Sequence, residues 1–169
     1  TSRSGVTPLM NAARCGAVQV VKMLLEHGAD ASAAVGAEVA EVSSRTALEA
    51  TCVYQRLDCL RALAEHQKAK CSSEELKAFI NQQSLKGRTA LMRAAMCCSA
   101  SCLAMLLDLK ADPNLKDNMG QTAMLYVCDI RNQRASNQRL LQLLIAADAD
   151  VDQINDSTGE APLLVAAGN

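Results

Sequence analysis

The chain has 169 residues, half of them apolar and 21% charged, and its formal net charge at pH 7 is −1. This composition is typical of a globular domain with a sizeable core, and the balanced charge excludes a general electrostatic attraction to nucleic acid or to an anionic membrane. The sequence contains neither a signal-peptide pattern nor a run of about 18 apolar residues, so we expect no direct membrane insertion by this segment.

A short motif that begins with threonine recurs along the chain and predicts a series of helices. Its copies start at residues 7, 46, 89 and 122, with a shorter copy at 161: TPLMNAARCG, TALEATCVYQ, TALMRAAMCC, TAMLYVCDI and APLLVAAGN. The starts are 39, 43, 33 and 39 residues apart, and a repeat of 33 residues with insertions of 6, 10 and 6 residues accounts for all four spacings. We expect these first helices at 8–15, 47–54, 90–97, 123–130 and 161–167.

A second helical pattern follows each of the first four copies, at 18–27, 57–67, 100–109 and 138–147. In its clearest example the apolar residues are Val20, Val21, Leu24 and Leu25, and the later copies repeat this spacing. The spacing forms one apolar stripe along a helix. A single pair of helices cannot bury such a stripe, whereas a stack of pairs can. We therefore predict an all-α solenoid of stacked helix-turn-helix units, with about four repeats plus a partial fifth.

Three insertions interrupt the repeats, at 34–43, 70–84 and 132–138. In the second insertion, Ser72 is followed three residues later by Glu75, a capping-box pattern that predicts an extra helix at 73–80. The third is polar and predicts a loop between the two helices of the fourth repeat. Insertions in a solenoid map to exposed edges, so two arrangements stay open: the insertions leave the first helices accessible, or they fold over them.

Together these motifs resemble the ankyrin repeat. The family pattern, G-x-T-P-L-H-x-A-A-x-x-G followed by V-V-x-x-L-L-x-x-G-A-D-x-N, is nearly intact from Gly5 to Ser32 and recognisable from Gly87 to Asn114. It is less complete after Gly120 and weakest in the unit that begins at Thr46. The resemblance implies one ankyrin-repeat domain over 1–169, with repeats at 4–33, 44–70, 86–116 and 119–152 and a partial repeat at 158–169.

Two departures from the family pattern bear on the local structure. The family's histidine in the first helix is absent, so apolar packing replaces its hydrogen bonds in three units; its position holds Met10, Glu49, Met92 and Leu125. The glycine that ends each helix in the left-handed conformation is kept at Gly16 and Gly28, whereas the equivalent positions elsewhere hold Gln55, Gln67, Cys98, Lys110 and Asp148. A side chain in that conformation costs about 1 kcal/mol, and we expect a positive φ angle at Cys98.

The eight cysteines are interpreted as reduced thiols, because disulfide frameworks belong mostly to small secreted domains. They are Cys15, Cys52, Cys59, Cys71, Cys97, Cys98, Cys102 and Cys128. This interpretation predicts an intracellular protein, in the cytoplasm or nucleus, or at the cytosolic face if the parent is membrane-bound. The 97–102 cluster lacks the paired spacing of a zinc site, so we predict no bound metal. Redox sensing by Cys97 and Cys98 stays open as an alternative.

No catalytic motif is found in the sequence, which has no P-loop, no G-x-S-x-G or H-E-x-x-H motif and no convincing carboxylate pair. His27 and His66 are assigned to exposed positions near helix C-termini, where positive charge is mildly favoured. The acidic segment 148–156 lacks the glycine and glutamate of a calcium loop and is interpreted as a turn. We predict no enzymatic activity, no catalytic residues and no cofactor.

Two functions of different classes are therefore favoured by the sequence, and a purely structural spacer is a third alternative. The first is a monomeric module that binds another protein or peptide, but not nucleic acid. The second is the regulatory or substrate-recruiting arm of a larger enzyme or channel, since the resemblance extends to palmitoyl transferases, kinases and cation channels that carry such repeats. Because the chain begins with threonine rather than methionine, we expect it to be part of a longer protein. The flanking sequence would separate the two functions.

The resemblance implies that partners bind the concave face, which is formed by the ends of the first helices and the tips of the loops before them. The helix-end positions are Arg14, Val53, Tyr54, Met96 and Ile130. The loop-tip positions are Lys86, Arg88, Met119 and Gln121. The apolar helix-end residues align across three successive repeats. Such a strip, flanked by arginine and lysine, suits a peptide or helix that carries apolar anchors and some acidic residues.

Overall fold

The computed structural model describes residues 5–35, 46–128 and 137–153, and these ranges contain nine α-helices and no strand. The helices are α1 Pro8–Cys15, α2 Val18–Glu26, α3 Ala47–Val53, α4 Leu57–Lys70, α5 Ser73–Ile80, α6 Ala90–Met96, α7 Ala100–Asp108, α8 Ala123–Cys128 and α9 Asn137–Ala146. Outside the helices, one isolated antiparallel bridge joins Ala34 and Thr46. The predicted all-α class is confirmed. The helix predicted at 161–167 lies outside the described residues.

Eight of the nine helices within the described ranges form two rows. The inner row is defined here as α1, α3, α6 and α8, each of which contacts the next, and the outer row as α2, α4, α7 and α9, which contact one another in the same order. Within each repeat the inner helix packs against its own outer helix. This arrangement is the predicted solenoid.

The recurring threonine begins each inner helix for a local reason. The side chain of Thr7 accepts a hydrogen bond from the backbone N–H of Met10 at 3.2 Å, and Thr89 does the same for Met92 at 3.3 Å. Thr46 and Thr122 make the equivalent bonds, at 3.0 and 3.3 Å. Each bond satisfies one of the N–H groups that a helix leaves without a partner at its start.

The outer-helix stripe shows which positions join neighbouring repeats. Val20, at the first stripe position of α2, is 48% exposed. The residues at the same position of the next three outer helices, Cys59, Cys102 and Leu140, are at most 1% exposed. Those three helices each have a repeat before them in the described chain, so this stripe position packs towards the preceding repeat.

The histidine position of the inner helices is buried in all four repeats. Met10, Met92 and Leu125 are 3%, 1% and 4% exposed, which confirms that apolar packing fills the position in three units. Glu49 occupies it in the second repeat and is 1% exposed. The Nε atom of Arg93 on α6 lies 3.8 Å from Glu49 Oε2, so an ion pair between repeats takes the place of apolar packing there.

The second insertion forms the predicted extra helix. Ser72 and Glu75 make both hydrogen bonds of the capping box at the start of α5. Asn81 accepts a hydrogen bond from the backbone N–H of Asp112 at 2.8 Å, and Gln82 Nε2 donates to the carbonyl oxygen of Ser32 at 3.0 Å. The end of this insertion is therefore bonded to the turns that follow α2 and α7. Residues 36–43 and 132–136 of the other two insertions lie outside the described ranges.

The positive φ angle predicted at Cys98 is confirmed, whereas the helix end predicted at Gln67 is wrong. Gln55, Cys98, Lys110 and Asp148 have φ angles of 56°, 54°, 65° and 57°, as expected for residues in glycine positions. Gln67 does not, because α4 continues to Lys70 instead of ending at 67. No glycine stops this helix, and its last turn carries two lysines, which favour a helix C-terminus. His66 is therefore inside α4 and half-buried, not in an exposed position at its end.

Candidate interaction surface

The loops before α6 and α8 have the same turn geometry. In the first, the backbone N–H of Ser84 donates to the carbonyl oxygen of Arg88 at 2.9 Å, and in the second Asp117 donates to Gln121 at the same distance. Gly87 and Gly120 reverse the chain with φ angles of 72° and 73°, a conformation that favours glycine. The two loops are referred to below as loop A (84–88) and loop B (117–121).

Loops A and B are bonded directly to each other. Asn118 donates its backbone N–H to the Lys86 carbonyl oxygen at 3.0 Å, and its Nδ2 to the Leu85 carbonyl oxygen at 2.9 Å. Gln83 Nε2 donates to carbonyl oxygens on both sides, those of Gly87 at 2.7 Å and Lys116 at 2.9 Å. These bonds fix the relative position of the two loop tips.

A polar cluster inside loop B holds it against the helices. The hydroxyl of Tyr126 donates to Asp117 Oδ2 at 2.6 Å, and Arg88 Nε donates to the Tyr126 hydroxyl oxygen at 3.1 Å. The other carboxylate oxygen, Asp117 Oδ1, accepts the backbone N–H groups of Met119 and Gln121 at 2.8 and 2.9 Å. Burial, followed by the hydrogen bond to Asp117, raises the pKa of Tyr126 to about 12.

The exposed residues of loops A and B are two large apolar side chains, one lysine and one asparagine. Leu85 of loop A is 54% exposed and Met119 of loop B is 59% exposed. Lys86, which follows Leu85 in loop A, is also exposed. Both apolar side chains therefore belong to loops whose backbones are held in place by hydrogen bonds. These three residues are called the loop-tip patch.

The predicted helix-end residues lie at the C-terminal ends of the inner helices α1, α3 and α6, whereas loops A and B precede the N-terminal ends of α6 and α8. Arg14 is exposed, Tyr54 is 36% exposed, and Val53 and Met96 are half-buried. Two side chains connect neighbouring helix ends: Arg56 Nε donates to the Arg14 carbonyl oxygen at 3.3 Å, and Gln55 Nε2 donates to the Cys97 carbonyl oxygen at 3.2 Å. The helix-end strip of Val53, Tyr54 and Met96 is therefore partly accessible to solvent. Ile130 lies outside the described residues.

Two of the predicted loop-tip residues are only partly accessible. The side chain of Arg88 is 17% exposed, and its guanidinium group lies 5.6 Å over the Tyr126 ring and 3.5 Å from Asp117. Its contacts therefore stabilise the loops. Gln121 is half-buried. The structure adds Leu85 to the exposed residues, and a leucine at a loop tip, where polar residues are usual, is the sequence signal for it.

The aspartates after the outer helices form turns. Asp30 Oδ1 accepts the backbone N–H of Ser32 at 2.8 Å, and Asp112 and Asp150 make the same bond two residues on, at 2.9 and 3.0 Å. Within the described ranges, no group of three potential metal ligands converges. All eight cysteines are free thiols. A membrane-spanning helix, long and apolar enough to cross a bilayer, is not found among the described residues.

Comparison with known protein families identifies the repeats. The model of a family described as ankyrin repeats (3 copies) matches residues 1–75 and 35–117. No curated protein matches the chain. The matched segments contain the inner helices α1, α3 and α6, the outer helices α2, α4 and α7, and loop A. Together they cover more than half of the sequence. Ankyrin repeats are protein–protein interaction modules, typically without catalytic activity. On the evidence of this match and of the two-row helical stack, the chain belongs to the ankyrin-repeat family.

Proposed function

We propose that this chain binds a segment of another protein through the loop-tip patch of Leu85, Lys86 and Met119. The observation that carries the proposal is the exposure of Leu85 and Met119, 54% and 59%, on two loops that are hydrogen-bonded to each other. Solvent-exposed apolar side chains that lie together commonly mark an interaction site.

The rigidity of the loops favours binding. A loop that becomes ordered only on association loses conformational entropy, and this loss weakens binding. Loops A and B are already ordered, because Asn118 of loop B bonds to two carbonyl oxygens of loop A. Gln83 also joins Gly87 of loop A to Lys116, the residue before loop B. Their apolar side chains are therefore presented without a large ordering cost.

The charge of the surface indicates the chemistry of the partner. Lys86 in the loop-tip patch and Arg14 at the helix ends are both exposed. Arg88 does not add to this charge, since Asp117 neutralises it. We infer a partner segment with one or two large apolar anchors and acidic residues beside them. The interpretation of all eight cysteines as reduced thiols supports an intracellular setting for this binding.

A peptide selection with matched variants tests the proposal. The wild-type domain is used to select binders from a displayed library of random peptides, and each binder is then measured against Leu85→Asp/Met119→Asp. The control is Val20→Asp/Met23→Asp, which changes two residues of α2 that are 48% and 59% exposed. We expect enriched peptides with apolar and acidic residues, a more than tenfold loss of affinity in the loop variant and little change in the control. Equal losses in both variants, or binders that ignore the loops, would contradict it.

A further inference from the structure

Two cysteines from different repeats, Cys52 and Cys102, interact through their side chains in the core. Cys52 belongs to α3 and Cys102 to α7, two helices in direct contact, and the side chains are 0% and 1% exposed. They are 50 residues apart in sequence. The sequence indicates the adjacent Cys97 and Cys98, rather than this pair, as redox candidates.

The repeat register explains why these two thiols are neighbours. Cys102 occupies the first stripe position of its outer helix, which packs towards the preceding repeat. Cys52 lies six residues after the threonine of that preceding repeat, and Ala13 and Ala95 hold the same position in the first and third repeats. By the same register Cys59 is opposite Ala13. Only the junction of the second and third repeats therefore places thiol against thiol within the described chain.

The interaction of the two thiols also shifts the pKa of each. The side-chain hydrogen bond from Cys52 holds the pKa of Cys102 at about 7, below the usual thiol value, and Ser99 supplies a second hydrogen bond. The shared bond with Cys102, followed by burial, raises the pKa of Cys52 well above its usual value. Cys59, with no thiol opposite, behaves differently, since burial is the first cause of its raised pKa. One thiol of the pair thus gives up its proton readily and the other acts as its donor.

We propose that Cys52 and Cys102 are a redox site that forms a reversible disulfide between the second and third repeats when the protein meets a peroxide. A small oxidant suits a buried pair. The Cys102 thiolate attacks one peroxide oxygen, the O–O bond breaks, and Cys102 becomes a sulfenic acid as hydroxide leaves and takes up a proton. The Cys52 sulfur then attacks the Cys102 sulfur and loses its proton, and a second water departs. Two thiols are oxidised to one disulfide, and one hydrogen peroxide is reduced to two water molecules.

The expected consequence is a more stable junction in the oxidised protein. The cross-link closes a loop of about 50 residues, and a disulfide of that span restricts the unfolded chain strongly. Oxidation should therefore raise the melting temperature, and a thiol reductant should restore the original value. An exposed cysteine oxidised alone would not do this.

The experiment counts free thiols after treatment of the whole chain with hydrogen peroxide. The protein is then unfolded and alkylated, and its intact mass gives the number of modified cysteines. Wild type should fall from eight alkylated cysteines to six, because one disulfide protects two. Peptide mapping should show a reducible link between the tryptic peptides that contain Cys52 and Cys102.

Variants distinguish this pair from the other thiols. Cys52→Ala, which places in the second repeat the residue found in the first and third, should lose both the protection and the rise in melting temperature. Cys59→Ala, a buried cysteine with no thiol opposite, should keep both, and so should Cys97→Ser/Cys98→Ser. The proposal is overturned if wild type keeps eight alkylated cysteines, if protection persists in Cys52→Ala, or if it is lost in Cys97→Ser/Cys98→Ser. Circular dichroism of each variant checks that the helices are intact before oxidation.

Discussion

Glu49 Oε2 lies 3.8 Å from Arg93 Nε, and the two residues tie the inner helix of the second repeat to that of the third. The side chains are 1% and 15% exposed, so the carboxylate is inside the core while the guanidinium group lies near its edge. The other three repeats place an apolar side chain at the position of Glu49. The second repeat therefore buries a charged residue at a position where the other three repeats bury an apolar one.

This ion pair should show strong coupling in a double-mutant cycle. Removing one charge of a buried pair is costly, while removing both restores an apolar core like that around Met92. We expect Glu49→Met/Arg93→Met to be more stable than the sum of the two single changes predicts, by about 1–3 kcal/mol. Urea unfolding of the four proteins measures the coupling. Additive effects would show that the two side chains act independently.

Gly87→Ala should destabilise the protein more than Gly28→Ala. A Cβ atom at Gly87 would lie 2.5 Å from Asn118 Oδ1 and 2.7 Å from the Asn118 backbone nitrogen, whereas nothing lies within 4 Å of one at Gly28. Both glycines have positive φ angles, so alanine introduces similar backbone strain at the two positions. The variants differ in the steric clash of the new Cβ atom, which occurs only at Gly87. We expect a loss of about 1 kcal/mol at Gly28 and clearly more at Gly87. Similar unfolding midpoints for the two variants would contradict the close packing of loops A and B.

Cys98→Gly should stabilise the protein by roughly 0.5–1 kcal/mol, because Cys98 has a φ of 54° and glycine relieves that strain. Cys98→Ala is the matched control, since it removes the same sulfur but keeps the Cβ atom. The sulfur makes one weak hydrogen bond, to Asn137 Oδ1 at 3.7 Å, which both variants lose. Thermal unfolding should rank glycine above wild type and alanine below it. If Cys98→Gly were no more stable than Cys98→Ala, the positive φ angle at Cys98 would not be a source of destabilising strain.

Stability should fall at alkaline pH through Tyr126. Its pKa is raised to about 12, so the folded protein holds the phenol proton more tightly than the unfolded chain does. The resulting stabilisation is fully present below about pH 10, the usual tyrosine value, and is lost as the pH rises towards 12. Tyr126→Phe should flatten this part of the stability profile.

The measurement for Tyr126 is the unfolding midpoint between about pH 9 and 12, combined with tyrosinate absorbance. A Tyr54→Phe background leaves Tyr126 as the only tyrosine. At neutral pH, Tyr126→Phe should also cost about 1.5–3 kcal/mol, because it removes a hydrogen bond to the buried carboxylate of Asp117. A profile that is unchanged by Tyr126→Phe would assign the alkaline loss to other groups.

The helix-end strip should tolerate truncation better than the core does. Tyr54 is 36% exposed and Met96 is half-buried, so Tyr54→Ala/Met96→Ala should reduce peptide binding while helicity and melting temperature stay nearly the same. Circular dichroism and the peptides selected by the wild type give the two readouts. Leu91→Ala, at a side chain that is 1% exposed, is the control that should lower the melting temperature. A collapse of melting in the double variant would place the strip in the core.

The sequence determined by itself those features that depend on residues close together in the chain. Thr89 caps its helix through a bond three residues away, and Ser72 and Glu75 form a capping box over the same distance. The left-handed φ at Cys98 follows from its place in the repeat. Such signals are local, because short-range hydrogen bonds and the period of the apolar residues decide them. They were sufficient to establish the helices and their stacking.

Only the tertiary structure decided which side chains of different repeats meet. The sequence identifies Arg88 as a loop-tip residue, and only the fold shows its contacts with Asp117 and Tyr126, which are 29 and 38 residues away. The contact of Cys52 with Cys102 likewise joins two repeats that are separated by the insertion at 70–84, so their spacing in the sequence does not follow the 33-residue period. Each pairing depends on how one repeat is placed on the next, and that placement is set by the packing of whole helices, which no short segment of the chain encodes.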